Sequence, residues 1–191
     1  MIYESSILTK YKNWKLAGRL VQGDIYQDLK FVMGVKTESV LDIEDINLRY
    51  AVVMTQDCDL ASHQRVADAG KTQNRALLPS VLVCPAYPIE QFFQGEHIEG
   101  KKLGDFTDDK RDRVKENERV KRYHFIEGDH SSGLTDLVVD FKHFYTVSYD
   151  ILLTSRELSY VTTINELYRE NLSQRFTQFL SRIGLPDETK E

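Results

Sequence analysis

The sequence predicts an α+β protein: a small antiparallel β-barrel or curled sheet that carries a peripheral charged helix and a long C-terminal amphipathic helix. Three stretches predict it. Ala51, Val52, Val53 and Met54 form a short unbroken apolar run with β-branched members, the pattern of a strand buried on both faces. Leu77 to Pro85 repeats that pattern and is stopped by Pro85 and Pro88, which cannot donate to a ladder, so it is the expected antiparallel partner of the first. Ile164, Leu167, Tyr168, Leu172, Phe176, Phe179, Leu180 and Ile183 recur at helical spacing. A chain of 191 residues fits one domain, with residues 1–150 as the β-rich body, a helix inserted over 105–121, and residues 151–191 as a docked C-terminal helix.

The elements follow in order. Trp14, Leu16 and Leu20 begin the packing. Gly23-Asp24 reads as a turn leading into a strand at Ile25-Tyr26, because glycine permits the backbone and aspartate bonds locally. Phe31 to Val35 is a second short strand, and the acidic stretch Thr37 to Asn47 reads as a connecting loop. Ala61 to Asn74 is polar and reads as an irregular excursion. Asp105 to Lys121 has helix-forming composition but a thin inward stripe of Phe106, Val114 and Val120. Arg122 to Ile126 returns to strand character, and Glu127 to Gly133 is a turn. Leu137 to Val147 is the longest β-rich run. Thr163-x-x-Glu166 reads as a capping box opening the last helix, and Gly184-Leu185-Pro186 as its stop.

Composition narrows the function classes. The net charge of -5 argues against a surface built wholly for nucleic acid. Lys101 to Arg122 is an exception, with nine Lys/Arg against six Asp/Glu; mixed signs at helical spacing also mark a solvated face. No apolar segment is long enough for a membrane span and the N-terminus lacks a secretory pattern, so a cytoplasmic protein is expected. Cys58 and Cys84 fit a reducing compartment.

Chemistry concentrates in Thr55-Gln-Asp-Cys-Asp59, which the buried run should deliver to one accessible mouth of the sheet. Arg49, Thr55, Cys58 and Asp59 are the candidate catalytic residues; Gln56, Asp57, His63, Lys110, Arg111 and Arg113 are the candidate binding residues. Cys58 could act as a nucleophile with His63, His124 or His143 as base. Its flanking carboxylates, Asp57 and Asp59, raise a thiol pKa rather than lower it, and the plainer reading is a small partly buried cysteine. Asp57 and Asp59, two apart on an extended chain, could face one magnesium ion, although such pairs also form turns. Cys58, Cys84 and two histidines are acceptable zinc ligands without supporting spacing, so no metal and no cofactor is expected. Phosphate loops, nucleophile elbows and dinucleotide fingerprints do not occur.

The succession Gly23-Asp24-Ile25, a strand introduced by Arg49, and Leu82-Val-Cys-Pro85 resembles the small SH3-like barrel of the PemK/MazF toxin family over residues 22–85. In that resemblance Gly23, Asp24, Arg49 and Thr55 hold the matching positions, with Tyr50 where the family has proline. It implies that Arg49 and Thr55 contact the phosphate and 2′-hydroxyl of single-stranded RNA. Met54 to Leu60 also resembles a Ser-Gln-(Thr/Asp)-Cys-Asp-(Leu/Ile) signature of bacterial proteins without assigned activity, whose C-terminal helix matches Arg175 to Pro186. The expected function is a binding or accessory protein that works with a partner protein, or as a homo-oligomer through the C-terminal helix, in a toxin–antitoxin, stress or phage-defence setting. The alternative is an RNA endonuclease or Cys-dependent hydrolase.

Overall fold

The computed structural model describes residues 10–12, 18–36, 41–98, 100–117 and 119–182. Trp14, Leu16 and the Gly184-Leu185-Pro186 stop lie outside them. The described chain runs β1 (Tyr11–Lys12), β2 (Asp24–Lys36), β3 (Leu41–Val53), α1 (Asp57–Asp68), β4 (Ser80–Pro88), α2 (Ile89–Phe93), α3 (Asp108–Lys115), β5 (Tyr123–Ile126), β6 (Leu137–Asp140), β7 (Tyr145–Ser148), α4 (Tyr149–Ser159), β8 (Tyr160–Ile164) and α5 (Glu166–Leu180).

The strands form one antiparallel sheet in the order β1-β8-β2-β3-β4-β6-β5, with β7 also paired to β4. The expected pairing of the two central runs holds, with Val52 opposite Cys84. Successive strand residues point to opposite faces, and both faces of the centre are covered. Ile25, Val52, Cys84, Val139 and Ile164 join Leu172, Phe176 and Phe179 of α5 in one core. Tyr26, Ala51, Val53, Val81 and Val83 join Leu60 of α1 and Leu152 of α4 in the other. A third, smaller core gathers Phe92, Phe93, Val114 and Val138 beneath α2 and α3. Gly23 has φ +83°, and a Cβ there would stand 3.1 Å from the Ile164 Cβ, so the turn leading into β2 requires glycine.

Several expectations change. The sheet is not closed into a barrel. Thr37 to Asn47 is not a loop throughout, since β3 begins at Leu41 and pairs with β2 as a long ribbon. Asp57 to Asp68 is a helix rather than a strand exit followed by an excursion. Asp57 and Asp59 lie in its first turn, where carboxylates complement the helix dipole, and only Leu60 and His63 turn inward, too few for a visible apolar stripe. The run 137–147 breaks into β6 and β7 because Asp140 turns the chain, its carboxylate accepting from the Lys142 backbone N–H at 3.0 Å. The inserted helix is the eight-residue α3, with Val114 inward as expected. The 151–191 segment is not all helix: Tyr160–Ile164 is a strand. Thr163 therefore caps nothing; its hydroxyl donates to Asp24 at 2.5 Å, and Asn165 is the cap, accepting from Glu166 N–H at 2.8 Å.

The sheet curls until its two edges face each other across a seam. No backbone ladder joins β1 to β5 among the described residues, but the Lys10 ammonium pairs with the Glu127 carboxylate and the Tyr11 hydroxyl donates to the Glu127 carbonyl. The outer edge of β5 is closed by side chains. Asn117, at φ +59°, accepts from Phe125 N–H and donates to Phe125 C=O, both at 2.7 Å, and Arg175 donates to the Tyr123 carbonyl at 2.7 Å. This is how an edge strand is kept from pairing with another chain. Asn117→Ala removes both bonds and places a residue without a polar side chain in the left-handed region. Thermal melts should register a loss of about 2–3 kcal/mol.

Candidate functional site

The corner between β3 and α1 holds the side chains that the sequence singles out. The ladder continues past Val53 with Met54 N–H donating to Leu82 C=O at 2.8 Å, and the Thr55 hydroxyl accepts from Leu82 N–H at 2.7 Å. Thr55 therefore pins β4 to the corner. Arg19 grips Asp57 with two bonds of 2.9 and 3.1 Å, and Arg169 of α5 approaches the same carboxylate to 3.7 Å. Burial alone would raise the Asp57 pKa, but the Arg19 hydrogen bonds and the charges of Arg169 and Arg19 outweigh it and hold the carboxyl below its usual range. Gln22 completes the corner by donating to Met54 C=O at 3.1 Å.

The groups a nucleophile would need are otherwise engaged. Cys58 is exposed, and its sulfur lies 3.6 Å from the Gln56 amide oxygen and 3.9 Å from the Asp59 carboxylate, both acceptors. His63 is turned inward: its Nδ1 accepts from Leu78 N–H at 2.8 Å and its ring lies 3.9 Å from the Tyr149 ring, centroid to centroid. Arg49 is exposed on β3. Arg111 and Arg113 ride on α3 with Lys110, where they pair with Asp108 and Asp109 at 3.8 and 3.0 Å. α3 packs against β5, over the third core rather than the β3–α1 corner. The structure thus brings Asp57 together with Arg19 and Arg169, and leaves Arg49, Lys110, Arg111 and Arg113 elsewhere. The Thr55–Asp59 cluster runs into the first turn of a helix where a loop was expected, with Gln56, Cys58 and Asp59 exposed.

Two buried carboxylates escape a reading of the sequence. Asp24 is wholly buried and accepts from Val21 N–H at 2.9 Å and from Thr163, with Arg156 4.0 Å away. Burial raises its pKa to about 6, against the pull of Thr163 and Arg156. Asp140, also wholly buried, takes a bidentate pair from Arg122 at 2.8 and 2.6 Å and lies 3.6 Å from His143. The signal available for it was an aspartate ending an otherwise apolar strand, with His143 three residues on. Nearby, burial of the Cys84 thiol, helped by the Asp140 charge, pushes it up to about 12, so it stays protonated.

The seam between the sheet edges opens into a cleft of about 240 Å³. Ile126 and Ile164 supply apolar lining, Tyr11 and Tyr168 aromatic lining, and Lys115 and Asn171 polar groups. His124 also lines it. This side chain is nine-tenths buried, its Nδ1 has no hydrogen-bond partner, and burial, reinforced by the Arg175 charge, lowers its pKa to about 3. Among the described residues no group of three or more His, Cys, Asp or Glu is arranged to hold a metal ion, and no helix is long and apolar enough to cross a membrane. Scans against models of protein families and against curated proteins give no match to this chain.

Proposed function

We propose that the chain is a binding or accessory module that acts with a partner protein, docked along the free edge of the β2–β3 ribbon. The observation that carries this reading is the ribbon's length. Phe31 still packs against Tyr145, with ring centroids 5.7 Å apart. The pairs from Val32↔Asp45 to Lys36↔Leu41 have no third strand beside them among the described residues. Val32 is 61 % exposed and Met33 37 %. A two-stranded ribbon is marginal in water by itself, and an open edge offers backbone groups that another chain can extend. The apolar stripe of α5, the other surface suited to a partner, is already spent on Phe141 of the same chain, with Phe176 and Phe179 rings 5.3 and 6.0 Å away. Its outward Leu167 and Leu180 stay exposed as a secondary contact.

The reading includes the setting implied by the PemK/MazF resemblance, a toxin–antitoxin, stress or phage-defence system. A reducing cytoplasm suits the exposed, unpaired Cys58. The enzymatic alternative centred on Arg49, Thr55, Cys58 and Asp59 has less support, because the Thr55 hydroxyl and the His63 Nδ1 are bonded to backbone amides. The test is co-expression with the products of the adjacent genes, followed by native mass measurement. Wild type should carry one of them; Val32→Asp with Met33→Lys should lose it at an unchanged melting temperature, since both side chains are exposed. A wild type that stays alone and monomeric beside every neighbour would sink the proposal.

A further inference from the structure

We infer that the seam cleft is a binding site for one nucleobase-sized heteroaromatic ring carrying an anionic group, the chemistry of a nucleoside monophosphate, free or at the end of an RNA strand. The inference is independent of the ribbon reading, because the cleft lies between β1 and β5 and involves neither β2 nor β3.

Size is the first restriction. Sites for drug-sized ligands run from about 300 to 1,000 Å³, and this cleft, at about 240 Å³, holds something smaller. The lining restricts it further. Tyr11 and Tyr168 bring aromatic rings to the lining, with the Lys10 ammonium 5.8 Å from the Tyr168 ring centroid, and stacking on aromatic rings is tolerant of which base is stacked. Apolar contact from Ile126 and Ile164 suits a flat ring equally, and His124 brings an imidazole to the same lining. His124 is held neutral, so it offers a hydrogen bond and no charge to whatever reaches it. A ring nitrogen or an amino edge is a partner that such a neutral imidazole can bond. Asn171, exposed on α5, adds a carboxamide able both to donate and to accept.

The charges of the lining point the anion to one end. At the Tyr11 end, burial and then the charges of Asp129, Glu127 and Asp136 raise the phenol pKa, so that end repels anions. Lys10 there is already paired with Glu127. At the α3 end, Lys115 has no ion pair among the described residues; its ammonium stands 6.0 Å from the Phe93 ring. It is the cation left to meet a phosphate. Strand addition to β5 is not an alternative use of the seam, because Asn117 and Arg175 already occupy backbone groups of its outer edge.

The test titrates the full chain with adenosine 5′-monophosphate, cytidine 5′-monophosphate, the two parent nucleosides, inorganic phosphate, and a short single-stranded RNA bearing a terminal phosphate. Binding is followed by calorimetry and by the amide NMR signals of Tyr11, His124, Tyr168 and Asn171. Wild type should bind a monophosphate more tightly than its nucleoside. Lys115→Ala, an exposed change that cannot unfold the protein, should erase that difference and leave nucleoside binding as it was. Tyr168→Ala should weaken both by about tenfold to a hundredfold. Tighter binding of the RNA than of the monophosphate assigns the site to a strand end, and failure of the RNA beside a binding monophosphate assigns it to the free nucleotide. Absence of saturable shifts at these four residues with millimolar monophosphate would overturn the inference. So would a Lys115→Ala variant that still prefers the monophosphate, or inorganic phosphate competing as well as the nucleotide does.

Discussion

Between about pH 6 and pH 4 the stability of the wild-type protein should stay level as far as His124 and Asp24 are concerned, because the two buried groups oppose each other. His124 has a folded pKa of about 3 against an ordinary 6.5. What its neutral burial contributes is complete above 6.5 and drains away as the pH falls toward 3. Asp24 is the reverse, with a folded value of about 6 against 3.8. Its contribution is complete below 3.8 and is lost as the pH rises through about 6. Each pKa unit of difference is worth about 1.4 kcal/mol, so the slopes are similar and opposite over the shared window. Removing either group exposes the other. On acidification from about pH 6 to 4, His124→Phe, which keeps a ring beside Phe141, should gain on the order of 3 kcal/mol relative to its own value at pH 6. Asp24→Asn should lose a similar amount. Urea unfolding at half-unit pH steps reads this directly. If the wild-type and His124→Phe curves run parallel, His124 is not buried neutral and the account of the seam fails with it.

Arg122→Ala should lower stability by about 3 kcal/mol, the lower end of what breaking a buried pair costs, since Arg122 itself keeps partial contact with solvent. The cause is Asp140, which is wholly buried and would be left with only the weaker His143 contact at 3.6 Å in place of its bidentate partner. Removing both charges with Arg122→Met and Asp140→Leu should cost less than the single change, because no uncompensated carboxylate remains. Equilibrium denaturation of wild type, the single and the double variant forms the comparison. A single variant within about 0.5 kcal/mol of wild type, the range of ordinary surface changes, would mean that the carboxylate finds another partner.

How much of this was legible in the sequence depends on where each signal lies. Ala51 to Met54 and Val81 to Cys84 were readable because a strand covered on both faces must be apolar at every position, and no other element of that length looks the same. Leu172, Phe176 and Phe179 were readable for the same kind of reason, one stripe at helical spacing. α1 was not, because its inward side is satisfied by Leu60 and His63 alone, and a buried histidine stacked on Tyr149 looks polar on the page. The 41–47 half of β3 was hidden by its acids, Asp42, Glu44 and Asp45, a composition that reads as a loop. Thr163 offered a capping signal that a long-range bond to Asp24, 139 positions away, overrode.

The candidate site fared worse, for a physical reason. Residue types state what chemistry is available, and the linear order of this chain settles its class and its central strand pair, and of the last helix's expected stripe the inward Leu172, Phe176 and Phe179 but not Leu167, Tyr168 and Leu180, which are exposed. Which side chains meet is decided by the sheet's curl and by helix placement. Those bring Arg19 and Arg169 to Asp57, carry Arg122 to Asp140, and close Tyr11 and Lys10 over Glu127 from the far end of the chain. Such meetings join residues from 18 to 117 positions apart, on segments brought together only by packing, and no local pattern encodes them.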